Sequence, residues 1–357
     1  MCEVTVAIAS YNVEKYIEQC LLSVLNQDFE DMEILVCDDC STDDTISIIE
    51  RLAKSHPKGN LIRILRGAQN QGTASIRNIG IDNAKGRYLL FLDGDDILPD
   101  NAISCLYSKI CMTDGDIVSA NMRVFCDNPD NQLNTNGDQW HDTCDTSGFF
   151  AIPKWMEKER TILYYAGMPC KLYKMDFLHK NNIRCRAEHR VVEDTYFTFQ
   201  TLLYATSFSR ISDVALLYRQ HFQSATKINI DRKRMNLYLL IFDDICCCLD
   251  QYKVKHLELD IHPMVYNYIF RNFVSGFFNN KVMSSSLLSK KDKIDYLNHV
   301  AQLSKHGIKK EFILGRLNKI LFKMLMSKNR FILIYYFFPF FAKMFRLIRL
   351  LVKRAKS

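Results

Sequence analysis

The chain has 357 residues, 48% of them hydrophobic and 24% charged, which allows about two globular domains and a sizeable core. Its net charge of +7 belongs to the C-terminus: Phe312 to Ser357 holds eleven Lys or Arg and no acid, leaving 36 basic against 40 acidic residues before it. That balance argues against a basic, nucleic-acid-binding body, and no apolar run reaches the ~20 residues that span a bilayer.

Met1-Cys2-Glu3 leads straight into the strand pattern Val4–Ala9, with no signal-peptide pattern ahead of it. Asn12 is placed to cap a helix running to about Gln27, with Tyr16, Ile17, Cys20, Leu21, Val24 and Leu25 on one face. A second strand spans Glu33–Cys37. Asp43 or Asp44 starts a helix containing Ile46, Ile48, Ile49 and Leu52. Leu61–Leu65 is a third strand, Thr73–Ala84 a third helix stopped near Gly86, and Tyr88–Leu92 a fourth strand. Such alternation predicts an open, mostly parallel α/β sheet, whose ligands sit beyond the carboxyl ends of the strands. The polar clusters Ser10-Tyr11-Asn12, Asp38-Asp39 and Asp93–Asp96 should therefore converge on one edge.

Residues 121–150, rich in Asn, Asp, Gly and Thr, read as a long loop. The stretch from Pro153 to about Ile230 is mixed and contains Val191-Val192-Glu193-Asp194 followed by a helix through Tyr204; from about Asp231 to Met326 the pattern is mainly helical. The expected organisation is a sheet domain over 1–225, a helical region over 226–330 and a basic amphipathic tail over 331–357. In that tail an apolar, aromatic run interrupted by Pro339 precedes Lys343, Arg346, Arg349, Lys353, Arg354 and Lys356. This suits a helix lying on an anionic membrane surface, the alternative being a terminal helix packed on its own domain or on a partner. The 13 cysteines are odd in number and irregular in spacing. They read as free thiols of a reducing cytosol, Cys37-x-x-Cys40 being the one pair at redox or zinc spacing.

Three carboxylates, Asp93, Asp95 and Asp96, end the fourth strand within four residues. Acids this close repel unless a cation or hydrogen bonds neutralise them. Mg²⁺ or Mn²⁺ bound by one or two of them plus phosphate oxygens resolves the repulsion, and Gly94 permits a tight turn. A solvated Asx turn is the alternative use. Of Asp38 and Asp39, Asp39 is expected on a ligand, with Ser41, Thr42 or Asp43 capping the next helix. The helix after Asn70-Gln71-Gly72 opens with free N–H groups, and Arg77 on it can meet phosphate or pair with a neighbouring Asp.

Val6-Ala7-Ile8-Ala9-Ser10-Tyr11-Asn12, Asp38-Asp39-Cys40-Ser41-Thr42-Asp43, Asn70 through Gly80, and Leu92-Asp93-Gly94-Asp95-Asp96 together resemble the family 2 glycosyltransferases, in order and spacing, over roughly residues 3–125. Cys170-Lys171-Leu172-Tyr173 and Glu193-Asp194 resemble that family's N-K-L-Y segment and E-D pair. Cys40 stands where the family usually has Gly, Ile76 where it has Ala, and Cys170 where Asn is common.

The resemblance implies a GT-A fold, Rossmann-like, followed here by a helical C-terminal region. It implies inverting, metal-dependent transfer from a nucleotide-sugar, usually a uridine diphosphate sugar, to a saccharide acceptor. Tyr11 and Asp39 would hold the base, with Ser10, Arg77 and Gly94 lining the donor site and Asp93 near the ribose. Asp95 or Asp96 would bind Mn²⁺ or Mg²⁺. Asp194 would be the general base, its proton affinity raised by burial and by Glu193 beside it. His221 and Arg219 are candidates for the metal or the diphosphate, and His189 and Arg190 for orienting acceptor or phosphate. With the basic tail, these features suggest a cytoplasmic enzyme held at the inner face of a membrane. There it would extend a lipid-linked saccharide in cell-surface polysaccharide synthesis. The competing readings are a nucleotidyltransferase, which would show a Gly-rich phosphate loop after the first strand, and a non-catalytic nucleotide-binding relative scaffolding a membrane complex.

Overall fold

The structure is a computed structural model. It describes residues 2–126, 150–151, 167–190, 192–220, 229–256, 263–270, 272–274, 281–312, 316–327 and 334. The chain divides into two compact units, Met1–Lys227 and Ile228–Ser357.

The first unit is built on an eight-stranded sheet, ordered β3-β2-β1-β4-β7-β5-β8-β6. Its strands are β1 (Val4–Ser10), β2 (Met32–Asp38), β3 (Ile62–Arg66), β4 (Tyr88–Asp93), β5 (Ile117–Cys126), β6 (Phe150–Ala151), β7 (Lys171–Lys174) and β8 (Ser207–Gln220). The helices are α1 (Ile17–Leu25), α2 (Thr45–Ser55), α3 (Thr73–Asn83), α4 (Ala102–Thr113), α5 (Met175–Lys180) and α6 (Glu193–Tyr204). β1 pairs in parallel with β2 and β4, and β2 with β3. β7 runs antiparallel between β4 and β5, and β5 pairs in parallel with β8.

Both faces of this sheet are covered, which is why its central strands read as continuous apolar runs. On one face Val6, Ile8, Val36, Leu90 and Leu92 meet Ile17, Leu21 and Val24 of α1 and Ile103, Leu106 and Ile110 of α4. On the other, Leu35 and Cys37 meet Ile76 of α3, and Phe91 makes edge-on ring contacts with Tyr173 of β7 and Phe197 of α6. Register brings the polar strand ends together: Ser10 pairs with Asp38, and Ala9 with Asp93.

Two local expectations are corrected. Asn12 does not cap α1, which starts at Ile17 behind Tyr16 without a side-chain cap bond. Asn12 instead takes a left-handed conformation (φ 50°), and its Oδ1 accepts the Thr42 N–H at 2.9 Å, tying the loop after β1 to the loop after β2. Residues 121–126 are no loop but the second half of β5, paired with β8 beyond a register shift near Asn121. The remainder of that expected loop, through residue 149, lies outside the described residues.

Cys40 and Cys170 also have positive φ, 64° and 53°. These are the positions where the resembled family carries Gly and Asn, the two residues that enter the left-handed region most readily. The half-exposed Cys40 gains nothing from its Cβ there. Cys40→Gly is therefore expected to stabilise the first unit by about 0.5–1 kcal/mol, read as a higher urea midpoint at unchanged slope.

In the second unit the described helices are α7 (Arg232–Lys255), α8 (Pro263–Phe270), α9 (Lys290–Val300) and α10 (Arg316–Met326). Phe242 and Ile245 of α7, Tyr296 and Leu297 of α9, and Phe273 are buried. Asp231 caps α7 through the Arg234 N–H, and Ser289 and Asp292 form a reciprocal capping box on α9. Among the described residues no helix is long and apolar enough to cross a membrane. The expected tail at 331–357 lies outside the described residues, apart from Ile334.

Candidate active site

The edge formed by the ends of β1, β2 and β4 is organised first by Asp38. It is fully buried and accepts from the Ser10 hydroxyl at 3.1 Å and the Ser41 N–H at 2.9 Å. Ser10 is thus spent on loop geometry. Tyr11, next to it, is 46% exposed and stands open at the edge.

Asp39 is also buried, and both its oxygens hold the loop that opens α3: Oδ1 accepts the Gln71 N–H at 2.7 Å and Oδ2 the Gly72 N–H at 2.8 Å. A carboxylate has about four acceptor positions, so these bonds leave capacity for a further donor. Gly72 has φ 88°, and a Cβ there would lie 2.9 Å from Arg190 Nη1. The glycine therefore lets the exposed Arg190 lie across this loop.

Arg77 of α3 is the centre of the site. Only 6% of it is exposed, and it donates to Asp93 Oδ1 at 2.8 Å and to Glu193 Oε1 at 2.7 Å. Burial opposes its charge, but the carboxylates of Asp93 and Glu193 outweigh burial and hold the guanidinium charged. One planar cation thus joins α3, the end of β4 and the start of α6.

Beside this bridge stands Asp194, in the first turn of α6. Part of its surface stays open to solvent while the carboxyl sits deep among protein atoms. Its pKa is pushed up to about 7, by burial first and by Glu193 next, against the pull of Arg77. The preceding Val192 is left-handed, with φ 43°. This is costly for a β-branched residue and is the kind of backbone strain that collects at functional sites.

The acidic turn after β4 is shaped by Gly94, whose N–H donates to the Ala9 carbonyl at 2.9 Å. A Cβ at Gly94 would lie 3.1 Å from that oxygen and 3.2 Å from Val13 Cγ2, so only glycine fits without displacement. Asp95 is partly open. Asp96, expected as a metal ligand, is wholly buried, and its Oδ1 accepts the Arg219 N–H at 2.8 Å. Burial, Asp95 and Asp93 raise its pKa well above the usual carboxylate range. Asp96 thus faces the interior rather than the open edge.

Arg219, expected near the diphosphate, is likewise interior. It donates from Nε to the Asp95 carbonyl at 2.6 Å and from Nη2 to Gln19 Oε1 at 2.6 Å, and lies against the rings of Tyr16 and Phe125. It acts as a clamp on the acidic turn. His189 is 1% exposed, edge-on to Tyr196. His221 lies outside the described residues.

Among the described residues no three His, Cys, Asp or Glu side chains form a ready-made metal cluster. The residues still fit Mg²⁺ or Mn²⁺ in the way such ions meet nucleotides, through one or two carboxylates with the remaining ligands from phosphate and water. Asp95 is the part-exposed carboxylate of the turn, and Asp93 keeps one oxygen outside its ion pair with Arg77. Sequence reasoning gave no role to Asp38 or Lys171. The signal for Lys171 was a lysine set directly in an apolar strand run, between Cys170 and Leu172.

Residues 5–179 match the family model described as glycosyl transferase family 2. The poly(ribitol-phosphate) β-N-acetylglucosaminyltransferase TarP of Staphylococcus aureus is 24% identical over 308 residues, 85% of this chain and 88% of that protein. TarS of the same species is 29% identical over 61% of this chain, which spans 35% of that longer protein. The crystal structure of S. aureus TarS 1–349 superposes with a TM-score of 0.69 at 21% identity, covering 92% of this chain and 88% of the other. The expected GT-A architecture with a helical C-terminal region is therefore correct. A sheet of this order with these loops, together with the family match, identifies residues 5–179 as a family 2 glycosyltransferase domain.

Proposed function

We propose that this enzyme transfers a sugar, with inversion, from a uridine diphosphate sugar to a hydroxyl of a polyol-phosphate or saccharide polymer of the cell surface. The observation that carries this reading is Asp194, a carboxylate lifted to about 7 beside the Arg77 bridge at the nucleotide edge of the sheet. Inversion needs one base facing the anomeric carbon from the side opposite the diphosphate. A carboxyl group that titrates near neutrality accepts a hydroxyl proton better than an ordinary aspartate.

Uridine diphosphate N-acetylglucosamine is the first donor to test. TarS has been crystallised with it, and TarP and TarS are named for β products. Because the sugar of that donor is α-linked, a β product requires inversion. A poly(ribitol-phosphate) β-glucosyltransferase of Bacillus spizizenii, 29% identical over 60% of this chain, makes uridine diphosphate glucose the second.

In this reading Tyr11 and Asp39 take the base, and Asp93 the ribose. Glu193 and Asp93 fix Arg77, which in turn fixes the start of α6. Asp194 receives the acceptor proton as the hydroxyl attacks. Asp95, with diphosphate oxygens, would hold Mn²⁺ or Mg²⁺, which when bound neutralises the charge of the departing diphosphate; His221 is a further ligand candidate. The basic, aromatic tail would keep the enzyme at the cytoplasmic membrane face, where lipid-linked acceptors are built.

The test is a panel of nucleotide-sugars with Mn²⁺ and poly(ribitol phosphate) acceptor, following nucleoside diphosphate release. One uridine diphosphate sugar should support metal-dependent release, reduced at least ~100-fold in Asp95→Asn. Folded protein that neither binds nor turns over any member of the panel would refute the reading.

A further inference from the structure

The segment that precedes α6 is splinted along α3. Arg184 pairs with Asp82 at 3.0 Å. One turn nearer the start of α3, Asn78 and Cys185 bond reciprocally: Asn78 Nδ2 donates to the Cys185 carbonyl at 2.8 Å, and Asn78 Oδ1 accepts the Cys185 N–H at 2.9 Å. From α6, Gln200 Nε2 donates to the Arg184 carbonyl at 2.7 Å. The chain then tightens, with the Arg190 N–H donating to the Glu188 carbonyl at 3.0 Å, and buries His189 edge-on to Tyr196. These anchors deliver Arg190 to Gly72, the residue that opens α3.

Gly72 therefore has two charged neighbours. Its N–H is bonded to Asp39 Oδ2 at 2.8 Å, and the Arg190 guanidinium lies where its Cβ would stand. The acid and the base flank one residue without an ion pair between them. A carboxylate and a guanidinium so placed present an acceptor beside a donor.

We propose that Arg190 reads the nucleobase of the donor: Asp39 accepts the ring N–H of uracil, and Arg190 donates to the carbonyl next to it. The inference rests on the reading of Asp39 as the base-binding acid. Uracil carries N3–H between two carbonyls, O2 and O4. Gly72 hangs on Asp39 at the end of β2, and β2 is separated from β4 by β1, a distance of roughly 10 Å. In the same reading Asp93, at the end of β4, takes the ribose. The carbonyl that meets Arg190 is thus O4, the one remote from the sugar, and the diphosphate near Asp95 is farther away still. Cytosine places an unprotonated N3 against Asp39 and an amino group against Arg190, so acceptor faces acceptor and donor faces donor. A site built for one hydrogen-bond pattern rejects the analogue that lacks it much more strongly than an apolar pocket does.

The test titrates uridine diphosphate and cytidine diphosphate, each with Mn²⁺, into the full-length enzyme and its Arg190→Ala and Arg190→Lys variants, following heat. The two nucleotides share ribose and diphosphate, so a difference between them belongs to the base. Wild type is expected to prefer uridine diphosphate by ~100-fold or more. Arg190→Ala should weaken uridine diphosphate at least ~10-fold and leave cytidine diphosphate unchanged or tighter. Arg190→Lys keeps a cationic donor and should restore most of the preference. In transfer, Arg190→Ala should raise the donor KM with kcat unchanged, since the base is held alike before and during the reaction. Arg190 is exposed, and its truncation should leave the fold intact.

Equal losses for the two nucleotides in Arg190→Ala would assign the guanidinium to the diphosphate and overturn the proposal. So would an unchanged affinity for uridine diphosphate. The wild-type titration separates this inference from the reading beneath it. Folded wild type that binds neither nucleotide removes both. Wild type that selects uridine diphosphate, with the same preference kept in Arg190→Ala, removes only the role of Arg190.

Discussion

Asp194→Asn is expected to abolish sugar transfer, by about 10³-fold or more, while leaving the donor bound as tightly as before. The amide keeps the shape of the carboxyl group and cannot accept the proton. Loss of kcat with an unchanged donor dissociation constant is the signature of a group used only in the chemical step. The same substitution should make the protein more stable at pH 8. Asp194 titrates near 7 in the folded chain against about 3.9 unfolded, so the folded state holds its proton more tightly. Between those values the folded chain carries more bound protons, and stability falls as pH rises. Wild type thus loses on the order of 3 kcal/mol from this one group between pH 4 and 8, and the Asn variant does not. Urea unfolding should show the two proteins nearly matched at pH 4 and the variant ahead at pH 8. Equal stability at both values would mean that Asp194 is an ordinary acid and a poor base. Wild-type transfer should show an acid limb near pH 7.

Arg77→Met is expected to be the most damaging single change to the fold of the site. It leaves the carboxylates of Asp93 and Glu193 facing each other in a largely buried space with no cation. Removing one partner from such a group costs about 3–5 kcal/mol, because the remaining charges stay desolvated. Transfer should fall at least ~100-fold, since Asp194 sits beside Glu193 on the turn that Arg77 secures. Stability and chemistry can be separated by adding Asp93→Asn and Glu193→Gln. The neutral triple variant should regain most of the lost urea midpoint and none of the activity. If Arg77→Met alone unfolds like wild type, the bridge carries no stability, and the three charges are solvated in solution.

The alternating strands and helices of residues 1–120 were legible because each apolar run stops abruptly at a polar cluster, and the parallel register then brings those clusters together. The family and its architecture were legible for the same reason. Which member of each cluster faces the open edge was not. Asp38 and Asp39 are adjacent, as are Asp95 and Asp96, and side-chain direction within a turn depends on backbone angles that residue types alone do not set. Asp96 turned inward because the N–H of Arg219, far along the chain, needed an acceptor. The partners of Arg77 were equally hidden: Glu193 lies 116 residues away, a separation over which no local periodicity speaks. β7 carries only four residues, too few for a pattern, yet it decides where Lys171 sits. Asn12 looked like a helix cap because Asn often is one. The structure uses its readiness for positive φ instead.

The position of β7 bears on how the protein is made. Strands β1 to β4 and their helices follow one another along the chain and can pair as they emerge from the ribosome. The outer edge of β4 must then wait for Lys171–Lys174, which arrive only after residues 94–170 have been added. At ~5–20 residues per second this interval is roughly 4–16 s. Throughout it, an apolar strand with unpaired backbone groups is open to a neighbouring nascent chain. Expression yield should therefore depend on chaperone supply and growth temperature more than on the stability of the finished protein.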